Sequence, residues 1–292
     1  MKLVPLNDRP LLEKAAALAN AAGLGLYAVG GCARDWARGH ESADIDFLLS
    51  GDAAAVVEGM EKEYGGRHQK FAPFLTVRYF SSQGRRLDFA GFRRETYSKP
   101  AALPTVSAAA SAEEDLKRRD FACNAMAVRL NGPEAFRLLD PYRGLEDIKS
   151  GLVRVLHEKS FADDPTRVFR AARFCGRLGW RLESGTRELA LAAVGAGFPG
   201  LLSRERLRNE LVKILQEKDP LPALEILRGL GALVFLHPSF VFDRSVARQE
   251  GTRERVAALA ALMGPAGKEF VEGLRFSGKE TAEILRLAEA LR

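Results

Sequence analysis

Short strand-like segments fill the first half of this chain, and after about residue 158 only helical periodicity remains. Side chains alternate across a strand but return every ~3.6 residues on a helix, so this change of period marks a change of architecture. Residues 26–29, 45–49, 75–80, 85–89, 125–130 and 136–139 read as strands, with helices over 10–22 and 53–64. Beyond them, residues 160–178, 185–194, 204–216, 221–230, 246–262 and 278–291 read as helices. Residues 91–112 hold two prolines, several small residues and little period, and read as a long loop. Loops of that length inside compact domains are usually functional or disordered. The expected fold class is α+β: a head with a small mixed sheet over residues 1–150, then an all-helical remainder from about Gly151.

No apolar run approaches the ~20 residues a membrane span needs, so no membrane role is expected. The N-terminal stretch lacks the continuous apolar core and cleavage site of a signal peptide. Cys32, Cys123 and Cys175 are odd in number and form no CxxC pair. A disulfide framework or zinc site is not expected, and a reducing, cytoplasmic compartment is. The net charge of +6 and pI of about 9.3 hint at a polyanionic partner, although a basic protein with no nucleic-acid role has much the same balance.

The chemistry begins with Asp44-Ile45-Asp46. On a strand, residues i and i+2 point to one face, roughly 6–7 Å apart, so two such carboxylates can converge on metal ions. Mg²⁺ takes the carboxylate, water and phosphate oxygens that such a site offers. A bare DxD is more often a solvated strand edge. Here, however, a short apolar strand upstream ends in Gly30-Gly31, where a helix begins. Helix starts present backbone N–H groups to phosphate, and glycine permits close approach. Arg34 lies in the first turns of that helix, placed to meet a triphosphate. Other constellations carry less: His40-Glu41 and His157-Glu158 lack HExxH spacing, and Ser81, Ser82 and Ser107 lack a GxSxG context.

Five ordered blocks resemble one family. They are Gly30-Gly31-Cys32-Ala33-Arg34-Asp35 with Asp44-Ile45-Asp46, then Arg118-Arg119-Asp120-Phe121-Ala122-Cys123-Asn124-Ala125, then Asp140-Pro141 through Gly144-Leu145-Glu146-Asp147 to Arg154, then residues 163–174, and then Ser203-Arg204-Glu205-Arg206. Together they resemble the class II tRNA nucleotidyltransferase and bacterial poly(A) polymerase family, of the polymerase-β-type superfamily. The resemblance implies a catalytic nucleotidyltransferase head over 1–150, a helical neck that recognises the base over 151–218, and a shortened, RNA-contacting helical body over 219–292. It implies that Gly30, Gly31 and Arg34 bind the triphosphate and that Asp44 and Asp46 hold two Mg²⁺ ions. Arg119, Asp120 and Asn124 would contact ribose and phosphates. Asp164 and Arg167 would read the base edge, with Arg170 and Arg173 completing the nucleotide pocket. Asp88, at the end of the 85–89 strand, is a candidate third carboxylate; the alternative for it is hydrogen bonding at the strand end.

At ~100° per residue, Asp164, Arg167, Arg170 and Arg173 fall on one side of a helix, although Ala171 and Phe174 intrude there. Asp164 before Pro165 also suits a plain helix cap. Asp offers acceptors and Arg donors, so the exocyclic amines and ring acceptors of C and A match this pair where U and G do not. The implied activity is addition of C and A to the 3′ end of tRNA from CTP and ATP, with release of pyrophosphate. Relatives adding only CC, only A or a poly(A) tail are the alternatives, ahead of a small-molecule nucleotidyltransferase or a non-catalytic RNA-binding protein. Residues 94–104, with Arg93 just before them, keep an Arg-x-Glu-x-Tyr pattern but lack the Arg-Arg-Pro of many relatives. That loop is thought to help switch between C and A addition, so the order and extent of addition are open. Family members also commonly continue for another hundred residues or so of helical body and tail, which implies a compact variant or a different RNA grip.

Overall fold

The structure is a computed structural model that describes residues 4–42, 44–71, 76–82 and 84–292. The chain divides into two compact units. One comprises Met1–Thr96, Pro104–Ser150 and Arg154–Leu156; the other comprises Tyr97–Leu103, Gly151–Val153 and His157–Arg292.

In the first unit the order is α1 (Arg9–Ala21), β1 (Leu26–Val29), α2 (Gly31–Ala37), β2 (Ile45–Leu49) and α3 (Ala54–Tyr64). Then come β3 (Arg67–Phe71), β4 (Thr76–Phe80), β5 (Arg86–Gly91), β6 (Arg93–Thr96), β7 (Thr105–Ala108), α4 (Ala112–Lys117), β8 (Ala127–Arg129), β9 (Leu138–Leu139) and α5 (Gly144–Ser150). Among the described residues, seven strands form one sheet in the order β3-β4-β5-β2-β1-β8-β9. The sheet is mixed, as expected: β2 and β5 run parallel and the other neighbours antiparallel.

Alternation along the strands sorts their side chains onto two faces. Ile45, Phe47, Leu49, Leu87 and Phe89 join Leu12, Ala15, Trp36, Val56 and Met60 in one core, which α1, α2 and α3 cover. Phe47 and Phe89 stack there with centroids 4.6 Å apart. Leu48 turns to the other face and packs with Val29, Leu116 and Ala127. Asp46 shares the strand period of Leu48, so the acidic pair stands on the face away from the helical layer.

Several expectations need correction. Residues 91–112 are not a plain loop: β6 and β7 pair antiparallel from Arg93↔Ala108 to Thr96↔Thr105, and α4 follows. The expected 136–139 strand shrinks to β9, because Phe136 adopts φ +66° and donates its N–H to the Arg129 carbonyl oxygen at 2.6 Å. Residues 122–124 form a short 3₁₀ turn ahead of β8. The start of the 75–80 segment, Leu75, lies outside the described residues, as does Gln83 of the following turn.

The second unit contains β10 (Leu152–Val153), α6 (Ser160–Asp163), α7 (Thr166–Leu178), β11 (Arg181–Leu182), α8 (Ser184–Gly195), α9 (Arg204–Leu215) and α10 (Leu221–Gly229). It ends with α11 (Arg244–Arg248), α12 (Thr252–Leu262), α13 (Ala266–Gly273) and α14 (Gly278–Ala290). It is largely but not wholly helical, since β10 pairs parallel with β11. The single helix expected over 160–178 is two, broken at Pro165, which has no N–H for a continuous ladder. The helix expected over 246–262 is likewise two. α7 packs closely on α10, where a Cβ at Gly176 would come within 2.8 Å of the Ala223 nitrogen. No helix among the described residues is long and apolar enough to cross a membrane.

Candidate active site

The two central strands bring the carboxylates together. Asp46 lies opposite Asp88 in the parallel β2·β5 register, so the two side chains share a face. Asp44 sits one residue before β2, two positions from Asp46 and on the same side. Two arginines accompany them. Arg78 donates to both oxygens of Asp88, at 2.7 and 3.1 Å. The Arg86 guanidinium stands 3.4 Å from Asp88 and 3.8 Å from Asp44. Asp88 is therefore held by two guanidiniums, while the Asp44 side chain is 59% exposed.

Asp46 is the exposed position of an otherwise buried strand. Desolvation pushes its pKa up, and the neighbouring charges of Asp88 and Asp44 add to this, while Arg119 and Arg86 oppose it. A cation there would relieve that crowding. The donors are all hard oxygens, which suits Mg²⁺ rather than a thiolate- or imidazole-seeking metal. Among the described residues no three carboxylate, imidazole or thiolate groups are arranged to enclose an ion. Mg²⁺ is commonly held by one or two carboxylates, with substrate phosphates and water completing its shell.

Beside Asp46, β1 runs into the glycine turn. Gly30 has φ +72° and ψ −123°, a conformation that glycine adopts freely and L-residues rarely do. A Cβ at Gly30 would lie 2.9 Å from Arg119 Nη1 and 3.9 Å from an Asp46 oxygen. The missing side chain thus leaves room for Arg119 beside the acidic pair. Gly30→Ala is expected to cost about 1–3 kcal/mol through backbone strain and to displace Arg119. Denaturant titration would measure the first effect and nucleotide-incorporation kinetics the second; a variant unchanged in both would show that the turn tolerates a side chain.

The remaining head residues form one polar chain. Arg34, 5% exposed, donates to Asn124 Oδ1 at 2.7 Å and to both oxygens of Asp35 at 2.9 and 3.0 Å. Asn124 Nδ2 donates to Asp120 Oδ1 at 3.1 Å, which also accepts the Phe121 N–H at 2.8 Å. Gly31 adjoins this chain: a Cβ there would stand 3.8 Å from Arg34 Nη2. Gly30, Gly31, Arg34, Arg119, Asp120 and Asn124 are thus gathered around the end of β1. The Arg34 guanidinium is engaged by Asn124 and Asp35.

Asp164, Arg167, Arg170 and Arg173 belong to the second unit. Asp164 Oδ1 accepts from the Thr166 N–H at 3.1 Å, from Thr166 Oγ1 at 2.7 Å and from Arg206 Nη2 at 2.7 Å. Asp164 thus makes a cap-like bond to the first residue of α7, whose N-cap position is Pro165, and an ion pair is added to it. Arg167 is 4% exposed and donates to Ser160 Oγ at 2.7 Å. Arg173 pairs with Glu217 at 3.0 Å. Arg170, Arg173 and Arg177 all lie over the Phe174 ring, at 5.7, 4.9 and 4.9 Å, which explains why Phe174 intrudes on the basic side of the helix.

Sequence reading assigned no role to Arg78, Arg86, Asp115 or Arg206. Arg86 was within reach, because it precedes Asp88 by two residues on one strand and so shares its face. Asp115 pairs with Arg118 and Arg119 three and four residues on, a local spacing that could have been read. Arg78 and Arg206 act through partners 10 and 42 residues away, Asp88 and Asp164, and leave no local pattern.

Comparison with known proteins agrees with this geometry. Residues 26–154 match the family model of the poly A polymerase head domain, and residues 201–242 match that of the probable RNA and SrmB-binding site of polymerase A. The chain is 43% identical over 218 residues to an A-adding tRNA nucleotidyltransferase of Geobacter sulfurreducens, covering 75% of this chain and 25% of that protein. It is 38% identical over 227 residues to an A-adding tRNA nucleotidyltransferase of Halalkalibacterium halodurans, covering 77% and 53%. The chain therefore spans between about a quarter and a half of the length of these relatives. The solved apo form II of a CCA-adding enzyme superposes with a TM-score of 0.84 at 30% identity, covering 98% of this chain and 72% of that one. A mixed sheet bearing a glycine turn and an acidic pair on neighbouring strands, followed by a helical unit, is the architecture of a nucleotidyltransferase. The chain belongs to the class II CCA-adding enzyme and poly(A) polymerase family.

Proposed function

We propose that this chain is a tRNA nucleotidyltransferase that transfers nucleotides from ATP, and in a second reading from CTP as well, to the tRNA 3′ end. The carrying observation is the acidic pair Asp44/Asp46 beside the Gly30 turn and Arg119, in a chain of this family. Terminal A addition has the extra support of two A-adding relatives at 43% and 38% identity. The second reading rests on Asp164 and Arg167, whose acceptor and donor chemistry suits both C and A.

In this reading the 3′-hydroxyl attacks the α-phosphate in line, and pyrophosphate leaves. Held by Asp44 and Asp46, divalent ions, Mg²⁺ above all, would activate the hydroxyl and stabilise the leaving group. The Gly30-Gly31 turn admits the phosphates close to the backbone, and Arg119 adds positive charge beside them. The Arg34–Asn124–Asp120 chain fixes the groups that face the ribose. Asp88, clamped by Arg78 and Arg86, orders the strand next to Asp46 and is available as a third carboxylate. In the helical unit, residues 151–218 would recognise the base, with Arg170 and Arg173 lining its pocket, and residues 219–292 would contact RNA.

The test uses tRNA transcripts ending in CC or lacking CCA altogether, Mg²⁺, and each labelled nucleotide in turn, with sequencing of the product ends. Incorporation of A onto the CC-ending transcript is expected. Incorporation of C onto the shorter transcript would support the second reading, and no incorporation on either would overturn the proposal. Asp164→Ala is expected to lower discrimination of ATP over GTP by about tenfold, since a wrong base would no longer leave a half-buried acceptor unmatched. Unchanged discrimination would make Asp164 a helix cap alone.

A further inference from the structure

The β6–β7 hairpin carries at its tip residues 97–103, which belong to the helical unit. Ala101 sits there at φ +61°, a left-handed conformation that a residue with a Cβ holds only under restraint. Two hydrogen bonds restrain it. Its N–H donates to the Ala162 carbonyl oxygen at 3.1 Å, and its own carbonyl oxygen accepts from Arg206 Nη1 at 2.9 Å. The other arm of the same guanidinium, Nη2, donates to Asp164 Oδ1 at 2.7 Å.

We propose that Arg206 is a positioning residue that sets nucleotide specificity, because its one rigid guanidinium fixes both the Asp164 carboxylate and the hairpin tip at Ala101. The proposal rests on the reading that Asp164 faces the nucleotide base. The guanidinium is planar and its two arms are fixed relative to each other, so the tip and the carboxylate are held in one frame. Asp164 Oδ1 takes three donors, two from Thr166 and one from Arg206. None of those bonds uses Oδ2, so the carboxylate is locked in rotation with its second oxygen held in one direction. A base-reading acceptor needs that fixed direction, because a carboxylate free to rotate accepts from an amine in many orientations and discriminates poorly. Movement of the tip is thereby transmitted to the acceptor, and loss of Arg206 uncouples the two. The half-buried site, with the two side chains 26% and 23% exposed, is sheltered enough for the pair to hold.

The test compares wild type with Arg206→Gln and Arg206→Lys by two independent readouts. The first is hydrogen exchange of the 97–104 segment in the unliganded protein, which needs no activity. The second is kcat/KM for ATP, CTP, GTP and UTP on tRNA. In Arg206→Gln, the Ala101 amide is expected to exchange faster, and discrimination of ATP over GTP is expected to fall about tenfold. Lysine is a single point donor and can hold one partner but not both. Arg206→Lys is therefore expected to keep part of the discrimination while the tip still exchanges faster. A uniform loss of kcat/KM for all four nucleotides with unaltered discrimination would overturn the proposal and leave Arg206 a purely structural residue. Slow exchange retained at Ala101 in Arg206→Gln would overturn the coupling. Absence of incorporation by the wild type would instead strike at the tRNA nucleotidyltransferase reading, while the exchange result would still report on the link.

Discussion

Asp46→Asn is expected to reduce nucleotide incorporation by about 10²–10³-fold or more while making the folded protein slightly more stable at neutral pH. The two effects share one cause. Desolvation, with Asp88 and Asp44 nearby, raises the Asp46 pKa in the folded state. An acid whose folded pKa lies above its unfolded value contributes stability only below the ordinary carboxylate range. That contribution is lost as pH rises through the raised value, so at neutral pH the ionised side chain is a cost that asparagine removes. The gain in Tm should therefore shrink when melts are repeated in acid. Asp44, at 59% side-chain exposure, is expected to lose activity on replacement by alanine with little change in Tm. Added Mg²⁺ should raise the Tm of the wild type more than that of either variant. Activity retained in Asp44→Ala or Asp46→Asn would sink the metal assignment.

The fold was legible where the chain repeats a period long enough to count. α1 and α3 came through within a residue or two of their bounds, as did β1 and β2. Arg67–Phe71 did not, because the edge strand β3 is mostly exposed and its Arg-His-Gln-Lys-Phe sequence shows no apolar alternation. The β6–β7 hairpin was hidden for a similar reason. Its strands are short, polar and half-exposed, and prolines in the connection suggested a loop. Pairing with the next strand along the chain, rather than side-chain pattern, makes such segments extended.

The site divides in the same way. Gly30, Asp44 and Asp46 have chemistry that follows from type and spacing, and the ordered blocks added Arg119, Asp120 and Asn124. What sequence left unread was how deeply each side chain sits and what it already holds. Arg34 was placed to meet phosphate, yet it is engaged by Asp35 and Asn124 inside the protein. Arg206 lay in a recognised block without a role until its bonds to Asp164 and Ala101 supplied one. The bonds of Arg34 to Asn124 and of Arg206 to Asp164 and Ala101 depend on tertiary geometry, and no local rule encodes them.

Asp115→Ala is expected to destabilise the protein by about 3–5 kcal/mol, more than Gly30→Ala. Asp115 is fully buried, at 0% exposure. It accepts from Arg118 Nε and Nη2 at 3.1 to 3.2 Å, from Arg119 Nη2 at 3.2 Å and from the Arg93 N–H at 3.1 Å. Its removal leaves two guanidiniums close together, with Glu95, 3.0 Å from Arg118, as the nearer remaining counter-charge. Asp115→Asn preserves shape and some hydrogen bonding, so its loss should be smaller, which separates charge from packing. Removing Arg119 as well, as in Asp115→Ala/Arg119→Met, should recover part of the stability, because the uncompensated charge goes with it. The same hub links stability to chemistry, since Asp115 anchors the arginine that passes beside Gly30 toward Asp46. Asp115→Asn, if assayed well below its melting temperature, should therefore lose kcat more than it raises KM for tRNA. Denaturant unfolding of the four proteins measures the energies. An alanine variant within about 1 kcal/mol of wild type would mean that the arginines find other partners and that Asp115 is not what holds Arg119 in place.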